Sequence, residues 1–567
     1  MRKWQRVLGL LFGFVVIGCG TPTSSGLRSA DVAAPSTPTG PVRITAAIMS
    51  EPPTLSRANI VAGSGTYPGG DALEDLANAG LTHSDHQGTR HPQLAEAVPS
   101  IENGLWRLLP DGRMETTWRI RPEARWHDGT PFTSADLLFT AELSQDRDLP
   151  TFKAPEYNVI DGIEAPDART LVIRWKQAYV RADEVFLTTR PKHILDEAYR
   201  EAKASVLSHP YWTEQYVGTG PYQVREWAPG SHVILTAFDG YVLGRPKIDE
   251  IKVKFISDPK ALMANILAGE VDLTMGRNIS LQQAEQIREQ WRDGTIGIGY
   301  ANWIALYPQF INPAQPLLAN VQFRRALAHA VDREKLVDTL QYSRSPVAHS
   351  FVNPSEAIYK DIESNVARYD YDVRRATQLI EGLGYTKGSD SPFRDAAGQP
   401  LALDVWTSGG DDAHEAGVLV VSDELRNLGI ATEPFFVPQA RRSDLEYNQS
   451  FPGIRLWRKD NSLWAVQRWH SRETPLPESR FVGTNDSRYM NPALDTLIDR
   501  YFATIPHRER TAVLGQIIQH VTDQVTLVGL WYNTEPQVIS NRLQGRTVTQ
   551  TAGGNDAWNA EAWTVSP

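Results

Sequence analysis

Three histidines, His83, His86 and His91, are spaced so that their imidazoles could meet on one metal ion. A transition-metal site needs several nitrogen, sulfur or carboxylate donors held around one point. Only Asp85 adds an acidic donor nearby, and the segment has the polar composition of a turn. We therefore interpret the three residues as surface histidines and predict no metal site.

Other segments resemble catalytic motifs but lack an essential residue. Segment 414–418 begins as His-Glu but has valine where a zinc-protease helix needs its second histidine. Gly-Ser-Gly at 63–65 is not a nucleophile elbow, and 218–221 lacks the Lys-Ser/Thr of a phosphate-binding loop. Adjacent carboxylates at 411–412 point apart. We predict no enzyme, with a surface glycoside hydrolase as the alternative because its two acids need no sequence signature.

An aromatic and basic cluster lies further along the chain. Aromatic faces can bind sugar rings or apolar side chains and can attract cations. Core packing explains such a cluster equally well, so both interpretations stay open. Its members are Trp457, Trp464 and Trp469, together with Arg455, Arg468 and His470.

Strand and helix patterns alternate from about Val42 onward. Alternating residues from Met114 to Ile120 predict a strand with one buried face. Segment 133–136 predicts a helix cap. Asp258 followed by Pro259 predicts another helix start, and that helix should end at Gly269. The body is therefore predicted to be mixed α and β.

One predicted helix has a clear apolar stripe. The stripe includes Phe323, Leu327 and Val331 at helical spacing, which indicates a buried face. We expect Arg324 and Arg325 to lie on the opposite face.

Composition narrows the class of protein. The chain has 567 residues and a formal net charge of −10, which disfavours a nucleic-acid partner. Hydrophobic residues make up 41% and charged residues 22%, as in folded globular proteins. A single cysteine excludes an intrachain disulfide and a cysteine-rich zinc site. We predict no cofactor.

The N-terminus has the features of an export signal. A basic head precedes an apolar run from Val7 to Ile17, which is shorter than the about 20 residues of a membrane span. The run ends just before Cys19 and resembles a bacterial lipoprotein signal. We predict a signal peptide over 1–18, lipidation at Cys19 and a flexible tether over 19–41. The mature protein would then be anchored at the outer face of the cytoplasmic membrane.

Several motifs, in order, resemble those of one protein family. The resemblance is to the large solute-binding proteins of ABC importers, the oligopeptide, dipeptide and nickel-binding type called family 5. Each motif is weak alone, but their order over roughly 52–542 is specific. The matching segments are 94–99, 117–122, 125–131, 218–222, 268–273 and 323–332.

The resemblance implies an α/β fold of two lobes, the periplasmic-binding-protein-like fold of type II, cluster C, with an extra domain on the first lobe. Lobe I would comprise 42–81, 216–304 and 526–567. The extra domain would cover 82–215, and lobe II would cover 305–525. Such lobes close over a ligand by hinge motion.

The implied function is capture of a small organic solute, with an oligopeptide as the expected cargo, and its delivery to the membrane permease of an ABC importer. We expect a monomer. A non-peptide cargo, such as a glycan, an anionic metabolite or a nickel complex, is the alternative.

The resemblance also assigns ligand-binding residues. In peptide-binding members an aspartate receives the peptide's α-ammonium, and segment 454–460 places Asp460 at that position and Trp457 at the family's tryptophan. Leu456 replaces a small residue, and Arg458 and Lys459 add positive charge that would favour an anionic ligand. Asp460 could instead pair with either of those cations. Trp464 and Trp469 complete the predicted site, and the loop around 60–70 is expected to face the cleft.

Overall fold

The computed structural model describes residues 40–56, 69–146, 148–152, 155–276, 278–388, 392–409, 412–441, 444–549 and 555–566. The predicted signal peptide, Cys19, the tether as far as residue 39, most of the 60–70 loop and Asp411 lie outside the described residues. From Pro41 onward the chain forms one compact unit. No described helix is both long enough and apolar enough to cross a membrane.

The strands supply the framework of the molecule. They are β1 (Arg43–Ile48), β2 (Thr82–Ser84), β3 (Arg90–Pro92), β4 (Trp106–Leu108), β5 (Met114–Arg119), β6 (Ile160–Asp167), β7 (Thr170–Trp175), β8 (Tyr222–Ala228), β9 (His232–Ala237), β10 (Glu250–Phe255), β11 (Leu273–Thr274), β12 (Gly294–Pro308), β13 (Val405–Ser408), β14 (Pro434–Val437), β15 (Ile454–Asp460), β16 (Val528–Ser540), β17 (Leu543–Gln544) and β18 (Thr564–Val565).

Helices cover the sheet on both faces. They are α1 (Gly70–Ala77), α2 (Ser134–Gln145), α3 (Lys192–Glu201), α4 (Pro259–Leu267), α5 (Leu281–Gln290), α6 (Val321–Ala330), α7 (Arg333–Leu340), α8 (Tyr359–Ile362), α9 (Val373–Glu381), α10 (Asp412–Leu428), α11 (Leu445–Gln449), α12 (Pro492–Ala503) and α13 (His507–Asp523).

Ten of the described strands form one mixed sheet in the order β14-β13-β15-β12-β16-β11-β1-β10-β9-β8. The two long central strands, β12 and β16, run antiparallel from Gly294 opposite Ser540 to Leu306 opposite Val528. We call the side with β1 and β8–β11 the first lobe and the side with β13–β15 the second lobe. The central strands therefore carry the chain from one lobe into the other, and their pairing contains two register shifts.

Separate hydrophobic cores stabilise the parts of the molecule. In the second lobe, one core includes Leu327 and Leu456, and another on the opposite face includes Trp469 and Ile517. A third core surrounds the four-stranded antiparallel sheet β4-β5-β7-β6, which we call the antiparallel domain; Trp118 is fully buried there. The sheets bury their apolar faces against helices, and the large sheet extends through both lobes. The fold is therefore two-lobed α/β, as predicted.

The local predictions for strands and caps are confirmed. β5 alternates buried and partly exposed residues over Met114–Arg119. Asp136 accepts a hydrogen bond from the Thr133 backbone N–H at 2.9 Å at the start of α2. Asp258 caps α4 by accepting from the Ala261 N–H at 2.7 Å.

The expected solvent-facing position of Arg324 is wrong. Arg324 is only 3% exposed. The guanidinium donates to the carbonyls of Leu318, Gln524 and Val525 at 2.7–3.1 Å. Two of these carbonyls, those of Gln524 and Val525, lie just beyond the end of α13, so the side chain folds inward to satisfy them instead of extending into water.

Candidate functional site

A cleft between the lobes encloses a cavity of about 850 Å³. The first lobe and the antiparallel domain contribute the residues around α1, the β2–β3 hairpin and the segment 180–187. The second lobe contributes 356–361, 460–464 and residues of α12 and α13. β12 and β16 contribute residues such as Tyr300 and Gln537. The volume lies within the range of about 300–1,000 Å³ typical of small-molecule sites.

Asp460 lies at the end of β15 and lines the cavity. Its carboxylate accepts hydrogen bonds from the Ser462 backbone N–H at 3.0 Å and from the Ser462 hydroxyl at 2.7 Å. Arg468 approaches one carboxylate oxygen at 3.6 Å, while 46% of the Asp460 side chain remains exposed. The carboxylate is thus held in place from one side and open to the cleft on the other.

The expected alternative partners of Asp460 lie elsewhere. Lys459 forms an ion pair with the buried Asp486 at 2.7 Å. Burial lowers the pKa of the Lys459 ammonium, and Asp486 opposes that change. Arg458 does not line the cavity either. The prediction that Asp460 could pair with Lys459 or Arg458 is therefore wrong, because Arg468 is its cationic neighbour.

Trp464 lines the cavity from the second lobe. It lies in the short helix Leu463–Trp469 and packs near Phe502, with ring centroids 6.4 Å apart. Across the cleft, the Arg181 guanidinium lies 4.9 Å from the Trp464 ring centroid, a cation–π distance. Trp464 therefore contacts both sides of the cleft.

The other predicted site residues lie away from the cavity. Leu456 is fully buried in a second-lobe core, and Trp469 packs edge-on against Phe351 with centroids 5.0 Å apart. The Trp457 ring stacks with the Arg455 guanidinium at 3.9 Å. The cavity lining brings together Asp460 and Trp464 but none of Leu456, Trp457, Arg458 or Trp469.

Among the other carboxylates that line the cavity, Glu356 and Asp183 are buried or partly buried, and no sequence motif indicates them. Glu356 comes from the second lobe and is 8% exposed, whereas Asp183 comes from the antiparallel domain side and is partly buried. Burial raises the pKa of Glu356 to about 8, and the Asp460 charge adds to the rise. Burial also raises the pKa of Asp183 to about 6, against the effect of Arg90.

The described lining of the cavity is acidic. Its guanidinium groups belong to Arg90, Arg181 and Arg510, and Glu184 pairs with the first two at 3.1 Å and 2.8 Å. Arg468 and Arg546 lie behind the lining and pair with Asp460 and Asp556. Nine carboxylates therefore face five nearby guanidinium groups. The carboxylates belong to Asp71, Asp75, Asp183, Glu184, Glu356, Asp361, Asp460, Glu535 and Asp556.

The three predicted surface histidines are partly exposed at the edge of the cleft, where they surround Trp558. The rings of His83, His86 and His91 lie 5.7–6.3 Å from the Trp558 ring, tilted by 22–27°. Burial lowers the pKa of His83 to about 4, so this imidazole is neutral at pH 7. In the part of the chain that the structure describes, no group of three or more His, Cys, Asp or Glu is arranged to hold a metal ion.

A two-lobed α/β fold with a large polar cleft between its lobes is suited to enclosing a solute by movement of the lobes. The chain belongs to the bacterial extracellular solute-binding proteins, family 5, whose middle-region model matches residues 90–468. This assignment confirms the family that the ordered sequence motifs indicated.

Named relatives agree with the family. The oligopeptide-binding protein AppA of Bacillus subtilis is 23% identical over 509 residues, covering 88% of this chain and 88% of AppA. The structure of B. subtilis AppA in complex with a nonapeptide matches with a TM-score of 0.64 and 20% identity, over 93% of this chain and 100% of AppA. The structure of NikZ from Campylobacter jejuni in complex with Ni(L-His) matches with a TM-score of 0.65 and 21% identity, over 92% of this chain and 99% of NikZ. Both structural matches establish the shared fold.

Proposed function

We propose that the protein captures oligopeptides outside the cytoplasmic membrane and delivers them to the permease of an ABC importer. The observation that carries this proposal is the interlobe cavity of about 850 Å³ with the Asp460 carboxylate at its wall. The name of AppA as an oligopeptide-binding protein supports the choice of cargo.

Asp460 is proposed to receive the ligand's free amine. Its two hydrogen bonds from Ser462 fix the orientation of the carboxylate, which lowers the entropy lost when a ligand binds. A charge-assisted hydrogen bond contributes about 1.5–3 kcal/mol. Arg468 at 3.6 Å reduces this attraction without neutralising the exposed side of the carboxylate.

The position of Lys459 favours a cargo with an amine over an anionic one. The anionic alternative depended on Arg458 and Lys459 facing the ligand. Lys459 is paired with Asp486, and neither cation lines the cavity.

The remaining features of the proposal concern the whole chain. We propose cleavage after residue 18, lipidation of Cys19 and a tether over 19–41, which together would hold a monomer at the outer face of the cytoplasmic membrane. We also propose lobe I as 42–81, 216–304 and 526–567, the extra domain as 82–215 and lobe II as 305–525. The protein is proposed to release its solute unchanged, without catalysis.

Calorimetric titration of the purified protein with short peptides tests the proposed cargo. N-acetylation of a binding peptide should weaken its affinity at least tenfold, because the neutral amide cannot pair with Asp460. Asp460→Asn should cause a similar loss, whereas Asp239→Asn, an exposed carboxylate outside the cavity, should cause none.

Two results would count against the proposal. Equal affinity for acetylated and free peptides would exclude Asp460 as the amine-binding group. Hydrolysed peptide detected by mass spectrometry after incubation would identify an enzyme instead of a receptor.

A further inference from the structure

We infer that the cleft contains a second cation-binding subsite, formed by Glu356 and Asp183, which selects solutes carrying a positive charge in addition to the amine at Asp460. This inference rests on the proposed function, because it assumes that the interlobe cavity is the ligand site. The ligand chemistry is an organic cation, either a basic peptide side chain or a non-peptide polyamine.

Glu356 provides the first observation. Although it is 8% exposed and lines the cavity, its carboxylate accepts only one hydrogen bond among the described residues, from the Asn353 backbone N–H at 3.4 Å. No described cation lies within ion-pair distance of it. Ionising a buried carboxyl that has no partner costs several kcal/mol of desolvation free energy, so a ligand cation could supply the counterion that ionised Glu356 lacks.

Asp183 provides the matching group on the other wall. It lies in the turn Ala182–Glu184, and its carboxylate has no hydrogen bond or ion pair with another described side chain. Arg90 and Arg181 are both paired with the neighbouring Glu184. Asp183 and Glu356 line the same cavity from opposite sides, so a ligand cation that reached both carboxylates would contact both sides of the cleft and favour its closed form.

The remaining charges support a cation over an anion. Among the described residues, nine lining carboxylates compare with five guanidinium groups in and behind the lining, and Arg181 is also stacked on Trp464. Burial and the nearby Asp460 charge raise the pKa of Glu356, and burial raises that of Asp183. These raised pKa values mean that the surroundings disfavour negative charge on both carboxyl groups. A bound cation would lower both pKa values and so increase the ionised fraction of each carboxyl group.

Calorimetric titration with four probes tests the inference. The probes are the tripeptides Ala-Lys-Ala, Ala-Gln-Ala and Ala-Glu-Ala, which differ only in the central side chain, and spermidine. Ala-Lys-Ala should bind at least tenfold more tightly than Ala-Gln-Ala, and Ala-Glu-Ala should bind most weakly. Glu356→Gln should lower the ratio of the affinity for Ala-Lys-Ala to that for Ala-Gln-Ala at least tenfold, and Asp183→Asn should do the same. The control Glu270→Gln, at an exposed residue outside the cavity, should retain it.

A proton balance separates a direct role of Glu356 from a structural one. The titratable groups that are electrostatically coupled to Glu356 are Asp460, Tyr501 and Tyr532. At pH 7 the free Glu356 carboxyl is largely protonated, because its pKa is about 8. Binding of Ala-Lys-Ala should therefore release up to one proton, seen as a dependence of the binding enthalpy on the buffer's ionisation heat. The Glu356→Gln variant should release no proton at this position when Ala-Lys-Ala binds, because glutamine does not titrate.

The outcomes distinguish this inference from the proposed function. Equal binding of Ala-Lys-Ala and Ala-Gln-Ala would overturn the cation subsite and leave the peptide receptor in place. Binding of spermidine but of no tripeptide would support the subsite and overturn the peptide cargo. Displacement of a bound probe by Ca²⁺ would identify a metal site and overturn the inference.

Discussion

At the residue scale, Arg324 illustrates how a charged side chain can be part of the core. Burial lowers its pKa to about 10, and the guanidinium lies 4.7 Å from the Phe310 ring centroid. Its hydrogen bonds reach a nearby carbonyl at Leu318 and, far away in sequence, the carbonyls of Gln524 and Val525. The apolar stripe of α6 predicted the buried face correctly but gave no sign of these carbonyl acceptors.

We predict that Arg324→Ala lowers the free energy of unfolding by about 3 kcal/mol, because several buried carbonyls lose their donor. Arg374→Ala, which removes an exposed arginine from α9, should change it by less than about 0.5 kcal/mol. Urea unfolding monitored by tryptophan fluorescence measures both. Equal stability of the two variants would show that water replaces the guanidinium without cost.

Individual residues also show why part of the candidate site could be predicted from the sequence and part could not. Asp460 stands in a segment whose order of residue types matches a family motif, so its position at the cleft could be anticipated. Glu356 and Asp183 have no motif around them, and only tertiary folding brings them to one cavity. A single sequence contains no local signal for such a pair.

At the element scale, local signals predicted element starts well. Asp258 followed by Pro259 marks the start of α4 because aspartate accepts from a free N–H and proline needs no partner at the first turn. The pairing of β12 with β16 was not predictable, because strand partners far apart in sequence leave no local pattern. Segment 454–460 did contain a usable signal. Ile454 and Leu456 alternate onto the buried face of β15, which places Leu456 in the core.

We predict that Asp258→Ala lowers the free energy of unfolding by about 1 kcal/mol, because the Ala261 N–H loses its acceptor. Asp258→Asn should retain nearly all of the stability, since asparagine caps helices about as well as aspartate. Equilibrium denaturation of the three proteins in urea checks the difference. A loss of equal size in both variants would assign the effect to the aspartate charge and the helix dipole instead of the cap.

At the scale of the whole molecule, the lobes were predictable through the resemblance, but their contact was not. Ile505 of the second lobe is buried in the core of the antiparallel domain, and Phe502 and Trp464 pack against the same core. Arg181 adds a cation–π contact to Trp464 across the cleft. This interlobe contact, which we call the latch, holds the two sides of the cleft together by apolar burial that no single segment encodes.

We predict that Trp464→Ala shifts the ligand-free protein toward an open form. Removing about 80 Å² of interlobe apolar contact, at about 25 cal/mol per Å², weakens closure by about 2 kcal/mol, or roughly 30-fold in the closed-to-open ratio. Small-angle X-ray scattering should then give a larger radius of gyration than for the unmodified protein. Met490→Ala, which removes an exposed apolar side chain outside the latch, should leave the radius unchanged. Trp464→Phe should give an intermediate radius, because the smaller ring retains part of the contact. An unchanged radius in Trp464→Ala would place the stabilisation of the closed form in Ile505 and Phe502 alone.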